Sequence, residues 1–175
     1  SLNQIRFRKP LTSNGKRRLA DALARNVDKY KFDILLAAHD DMEPVVKNFD
    51  LIIADNMLKN FPAYDGVLNF NDGFVGGQCN TLPVIGSKFF KRFGYIYNPN
   101  YKALVCNVEL TLVSKILKKE KIVDAVIIKH NHPAWNAGPK DDLYDKNEKF
   151  HNQDIETFFK RRANFFDLPQ EEILS

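Results

Sequence analysis

The chain has 175 residues, 44% hydrophobic and 27% charged, with a formal net charge of +4; this suits one folded domain with a sizeable core and argues against disorder. The mild charge admits an anionic ligand but not the concentrated basic stripe of a nucleic-acid binder. No apolar run reaches the roughly 20 residues of a membrane span, there is no secretory h-region, and Cys79 and Cys106 lack metal-type spacing, so both read as reduced thiols of a cytoplasmic protein.

Taken in order, residues 1–11 alternate basic and apolar side chains and predict an edge strand ended by Pro10. Thr12 to Gly15 then supply capping residues for an amphipathic helix with Leu19, Leu23 and Val27 on one face. Its first turn holds Lys16, Arg17 and Arg18, where the macrodipole disfavours cations, so these either meet a phosphate or form a solvated face.

The chain is organised around Asp33–Pro44, DILLAAHDDMEP. The unbroken run Ile34 to Ala38 predicts a strand covered on both faces, as in a parallel sheet. His39, Asp40 and Asp41 then fall at its carboxyl edge, where open α/β sheets place their ligands. Adjacent carboxylates there repel each other unless a cation lies between them, which predicts Mg²⁺ or Mn²⁺ with a phosphorylated ligand. A solvated acidic turn is the competing reading.

Further on, Ile53, Met57 and Phe61 share a helical stripe that Pro62 ends. VLNF (67–70) predicts a strand between Asp-Gly turns, Gly76-Gly77 a mobile or closely approached loop, and TLPVIG (81–86) another strand. Ser87 is positioned to cap a short helix, KFFKRF, that Gly94 terminates. Tyr95, Tyr97 and Tyr101 crowd the next loop, either lining a sugar-binding cleft or forming a structural cluster. Asn107 is a candidate N-cap for the helix VELTLVSKILKKEK, with Leu110, Val113 and Leu117 inward. KIVDAVIIKHNHP (121–133) predicts a last strand ending in His130 and His132, and IETFFKRRANFF an aromatic closing helix beyond a polar loop at 136–150. Strands alternating with helices place the chain in the α/β class.

Three polar clusters, His39-Asp40-Asp41, Asn107-Val108-Glu109 and His130-Asn131-His132, are candidates to converge along one sheet edge. His and Asp together suit Mn²⁺, or Zn²⁺ in a tetrahedral site.

The succession of these motifs resembles family 2 glycosyltransferases, nucleotide-sugar enzymes of the GT-A fold. The series runs from the strand with Asp40-Asp41 through Phe61-Pro62 with Asp65-Gly66. It continues with Val84-Ile85-Gly86 followed by Gly94 and Tyr97, then Asn107 to Leu110, and ends on the strand closing at His130. It spans roughly residues 12–166, and its order carries more weight than any single motif.

The resemblance implies a single GT-A-like domain over residues 1–175, with a mixed, mostly parallel sheet flanked by helices. It implies metal-dependent transfer, with inversion, from a nucleotide diphosphate sugar to a carbohydrate or other hydroxyl acceptor. Asp41 corresponds to the metal-binding Asp and Asp40 to the middle position of the family's Asp-x-Asp motif, with His39 replacing its first acid. His130 corresponds to a late His that completes the metal shell. Asn107 falls where the family has its catalytic base. An amide cannot accept a proton from a sugar hydroxyl, so either Glu109 is the base or the protein is inactive in the usual sense. Trp135 is a candidate to stack on a sugar face, and Gly76-Gly77 to let a loop close over the donor.

Only 38 residues precede His39, too few for the family's usual nucleotide-binding unit, so the chain reads as a fragment of a longer enzyme or as a shortened domain. A non-catalytic sugar- or nucleotide-binding module of the same fold is the first alternative function, and a metal-dependent phosphoesterase the second.

Overall fold

The computed structural model describes residues 31–39, 41–131 and 149–174. The predicted N-terminal strand and helix, Asp40, His132, Trp135 and most of the 136–150 loop lie outside them. In chain order come β1 (Ile34–Leu36), β2 (Met42–Pro44), α1 (Phe49–Asn60), β3 (Val67–Phe70), β4 (Pro83–Gly86) and α2 (Ser87–Phe93). These are followed by α3 (Cys106–Ile116), β5 (Glu120–Val123), β6 (Ile128–His130), α4 (His151–Ala163), a 3₁₀ turn at Phe165–Asp167 and the short α5 (Gln170–Ile173).

The α/β class holds, with one correction. Four strands form a mixed sheet in the order β1-β4-β3-β5, and β2 pairs with β6 in a separate ribbon. β1–β4 and β4–β3 are antiparallel and only β3–β5 is parallel, so the described sheet is mostly antiparallel rather than mostly parallel. An apolar run reports burial on both faces and says nothing about a neighbour's direction. β1, β3 and β5 nevertheless run the same way, because β4 reverses between β1 and β3. Their carboxyl ends therefore share one edge, and His39, Asp41, Asp72 and Asp124 all follow strands there.

The fully buried strands are β3 and β4, while β1 is half-buried at the edge of the described sheet. Alternation sends Val67 and Ile85 to one face and Leu68, Phe70 and Val84 to the other. The first face packs on α2, α3 and α4 through Phe89, Leu110 and Phe158. The second packs on α1, through the predicted stripe of Ile53, Met57 and Phe61, and on Ile127 and Ile128 beside the ribbon. Tyr97 and Tyr101 are buried in the first cluster, so these two form a structural core rather than a cleft lining.

The strand predicted across residues 121–133 is two strands in two sheets. The chain bends at Asp124: the Ala125 N–H donates to the Val123 carbonyl at 2.8 Å, and Asp124 Oδ1 accepts from Asn71 Nδ2 at 3.0 Å. β6 leaves the main sheet at that bend. Continuous β-propensity conceals such a break, because it carries no record of contacts with another loop.

Two predicted caps also move, by two residues at α3 and by one at α2. α3 starts at Cys106 behind Val105, so Asn107 lies inside the first turn, its Oδ1 accepting the Val108 N–H at 3.0 Å. α2 starts at Ser87 itself, with no side-chain cap. Its Ser87 N–H donates to the Asp33 carbonyl at 2.8 Å, and the next two find the Tyr64 carbonyl, which accepts from Lys88 at 2.9 Å and Phe89 at 3.3 Å. Gly94, at φ +73°, ends α2 as expected.

The Tyr64 carbonyl reaches α2 only because Gly86 has no side chain: a Cβ there would stand 2.3 Å from the Tyr64 oxygen. Gly86→Ala must push the 61–66 turn off the helix end and is expected to cost about 2–3 kcal/mol. Denaturant unfolding checks this, and a variant within about 0.5 kcal/mol of wild type would contradict it.

Candidate metal centre

β1 delivers His39 beyond the sheet edge, where the strand's pairing continues one step through the Ala37 N–H to the Pro83 carbonyl at 3.1 Å. A tight turn follows, closed by the Met42 N–H to the His39 carbonyl at 3.2 Å, with Met42 Sδ accepting from the His39 N–H at 3.4 Å. The turn feeds β2, which pairs antiparallel with β6 in the register Met42↔His130 and Pro44↔Ile128. Asn131 N–H donates to the Asp41 carbonyl at 2.9 Å and Val45 N–H to the Ile127 carbonyl at 3.0 Å, flanking those pairs. Pro44 thus sits where the ladder asks no N–H of it, which lets proline stand in this strand.

This register brings His39, Asp41 and His130 together. One donor atom from each lies within 4.8 Å of the other two, and His130 Nε2 stands 3.2 Å from Asp41 Oδ2. The two imidazoles meet edge to face, with centroids 5.6 Å apart. His130 is buried and His39 and Asp41 are half-buried, and His39 Nε2, Asp41 Oδ1 and both ring nitrogens of His130 are themselves shielded from solvent. Two donors on one ion at about 2.1 Å each stand roughly 3 Å apart in adjacent positions, so the Asp41–His130 spacing fits shared ligation. Two imidazoles and one carboxylate form a donor set suited to Mn²⁺, Fe²⁺ or Zn²⁺ rather than to oxygen-preferring Mg²⁺.

Glu109 stands elsewhere. Its carboxylate is buried against α4, accepting from Arg161 Nε at 2.7 Å and Nη2 at 2.9 Å, and from the Tyr101 hydroxyl at 2.7 Å. The remaining Arg161 nitrogen, Nη1, reaches Asp167 Oδ2 at 2.7 Å. The Glu109–Arg161 contact is a buried ion pair that joins α3 to α4. Arg161 also holds the 3₁₀ turn, where Phe165, Phe166 and Asp167 are all left-handed with φ between +49° and +60°. Such a run is strained, and the ion pair with Asp167 offsets the strain. Of the sequence candidates the structure therefore unites His39, Asp41 and His130 and leaves Glu109 and Asn107 on α3.

Two buried carboxylates carry parts of this architecture unforeseen from the sequence. Asp154 on α4 accepts three consecutive backbone N–H groups, from Lys102, Ala103 and Leu104, at 2.7–2.8 Å. Asp72, just after β3, accepts the Phe74 and Val75 N–H groups at 2.9 and 2.7 Å and the Thr81 hydroxyl at 2.6 Å. Burial raises the Asp72 pKa, but these donors and the nearby His130 outweigh it and leave the carboxyl below its usual range. The available signal for Asp154 and Arg161 was their spacing: with Phe158 they occupy the inward face of α4, where a charge needs a partner.

Comparison with family models, curated proteins and solved structures finds no match. No described helix is long and apolar enough to cross a membrane.

Removing one partner of the Glu109–Arg161 pair leaves a buried charge, so Glu109→Gln and Arg161→Met are each expected to destabilise by about 3–5 kcal/mol in denaturant unfolding. Loss of less than 1 kcal/mol from both would show that the pair is not what holds α3 to α4. Burial pushes the Cys106 thiol up to about 12 and raises Cys79 as well, so thiolate is scarce at both near neutral pH. Both cysteines are unpaired. A thiol-counting reagent at pH 8 should find two groups in denaturant and leave Cys106 unmodified in the native protein; rapid native labelling of Cys106 would contradict its burial.

Proposed function

We propose that this chain is a metal-dependent glycosyltransferase domain that binds a nucleotide diphosphate sugar and transfers its sugar to an acceptor hydroxyl. The observation that carries the reading is the convergence of His39, Asp41 and His130 at the carboxyl edge of co-directional strands. Asp41 and His130 are the residues that match the metal-binding positions of the glycosyltransferases this sequence resembles. They come from distant parts of the chain yet stand 3.2 Å apart.

His39, Asp41 and His130 would hold the cation, and the imidazoles favour Mn²⁺ over Mg²⁺. When bound, the cation supplies charge neutralisation for the departing diphosphate. Three protein donors leave the other positions of a six-coordinate ion to oxygen ligands, which is what a diphosphate provides.

One observation favours a second reading, a module that binds the nucleotide sugar without turnover. Glu109 is locked by Arg161, and Asn107 at the family's base position cannot accept a proton.

Calorimetry with UDP and GDP, with and without Mn²⁺, tests both. Binding should require Mn²⁺, and Asp41→Ala and His130→Ala should each weaken it more than about 100-fold, beyond the 10–100-fold of an outer-shell loss. Equal, metal-independent binding by wild type and Asp41→Ala would remove the site. Release of nucleoside diphosphate from a nucleotide sugar then separates the readings, since the binding module predicts none above the uncatalysed rate.

A further inference from the structure

We infer that Asp72 is a positioning residue for His130, the buried donor of the metal site. This rests on the metal-binding reading above.

β6 is held along both edges. On one side β2 supplies the ladder through Asp41 and Asn131. On the other, where a third strand would pair, the His130 N–H donates to the backbone carbonyl of Asp72 at 3.2 Å. That carbonyl belongs to the loop leaving β3, and a loop carbonyl points where it does only if its peptide is fixed.

The Asp72 side chain does the fixing. Its Oδ1 folds the chain into a turn by accepting the N–H groups of Phe74 and Val75, and Oδ2 ties the turn to the segment just before β4 by accepting from the Thr81 hydroxyl. Gly73, at φ +90°, allows the peptide after Asp72 to turn. On its other flank Asn71 bonds Asp124 and accepts the Gly73 N–H at 2.9 Å, so the same loop clamps the bend that frees β6 from the main sheet. Asp72 is thus anchored to its own turn and to the segment just before β4, and its carbonyl accepts the His130 N–H from outside the ribbon.

Positions near a metal require accuracy of a few tenths of an ångström, so an anchor on a ligand's backbone affects affinity and spectrum as well as stability. Asp154 is the natural control: it is an equally buried carboxylate accepting three backbone N–H groups, but the backbone it holds is the loop at 102–104.

Co²⁺ titration followed by visible absorption tests the inference on the intact chain, with stability measured in parallel. Wild type should show ligand-field bands that Asp41→Ala lacks. Asp72→Ala should weaken Co²⁺ binding about 10–100-fold and shift those bands. Should that variant not fold, Thr81→Val removes one anchor only; it should weaken Co²⁺ binding by several-fold, and Thr81→Ser should restore it. Asp154→Asn should lose stability while keeping the wild-type Co²⁺ affinity and spectrum. Wild-type affinity and bands in Asp72→Ala, or in Thr81→Val where only that variant folds, would overturn the positioning role and leave the metal site standing. No Asp41-dependent bands in wild type would overturn the metal site, and the positioning role with it.

Discussion

Asp41 and His130 meet because Met42 stands opposite His130 in a short antiparallel ribbon. Strand side chains alternate, so a slip of one residue in this register would turn His130 away from the His39–Asp41 turn. The ribbon is only three residues long on each strand and could not hold its register alone. It is held from outside: β1 fixes where the turn begins, the Val45 N–H closes the far end on Ile127, and the buried side chains of Ile127 and Ile128 lock β6 to the core under β3 and β4. The site depends on that pairing more than on any one side chain in it.

Around this ribbon the molecule uses buried carboxylates as fasteners. Asp72 and Asp154 each gather backbone N–H groups that no strand or helix satisfies, and Glu109 joins α3 to α4 through Arg161. Three hydrogen bonds to a carboxylate compensate much of the cost of removing it from water. The geometry divides the work: Asp72 sits on the edge that carries His39, Asp41 and His130, while Glu109, Tyr101, Asp154 and Arg161 organise the helical face opposite α1.

Much of this was legible in the residues. The stripe Ile53, Met57 and Phe61 predicted α1, the apolar stretches predicted β3 and β4 at their observed places, and Gly94 ended α2. The site was partly legible too, since acids after one apolar run and a His after another point to a shared edge. Strand direction was not, because Ile34 to Ala38 looks the same beside a parallel or an antiparallel neighbour. Nor was the break at Asp124, whose side chain bonds Asn71, far away in sequence. The pairing of Glu109 was hidden for a related reason: a lone acid on a helix shows its chemistry but not which distant residue it meets, here Arg161. Periodicity reports what a residue faces, whereas function here turns on which distant residue faces back.

The central claim is that two imidazoles and one carboxylate form a single cation site at the carboxyl edge. Pulsed electron paramagnetic resonance on the Mn²⁺-loaded protein tests it directly, because directly bound imidazole nitrogen couples to the electron spin and aqueous Mn²⁺ shows no such coupling. Two nitrogen couplings are expected in wild type, one in His39→Ala and one in His130→Ala. A protein-bound Mn²⁺ signal without nitrogen coupling, or one unchanged by either substitution, would contradict the site.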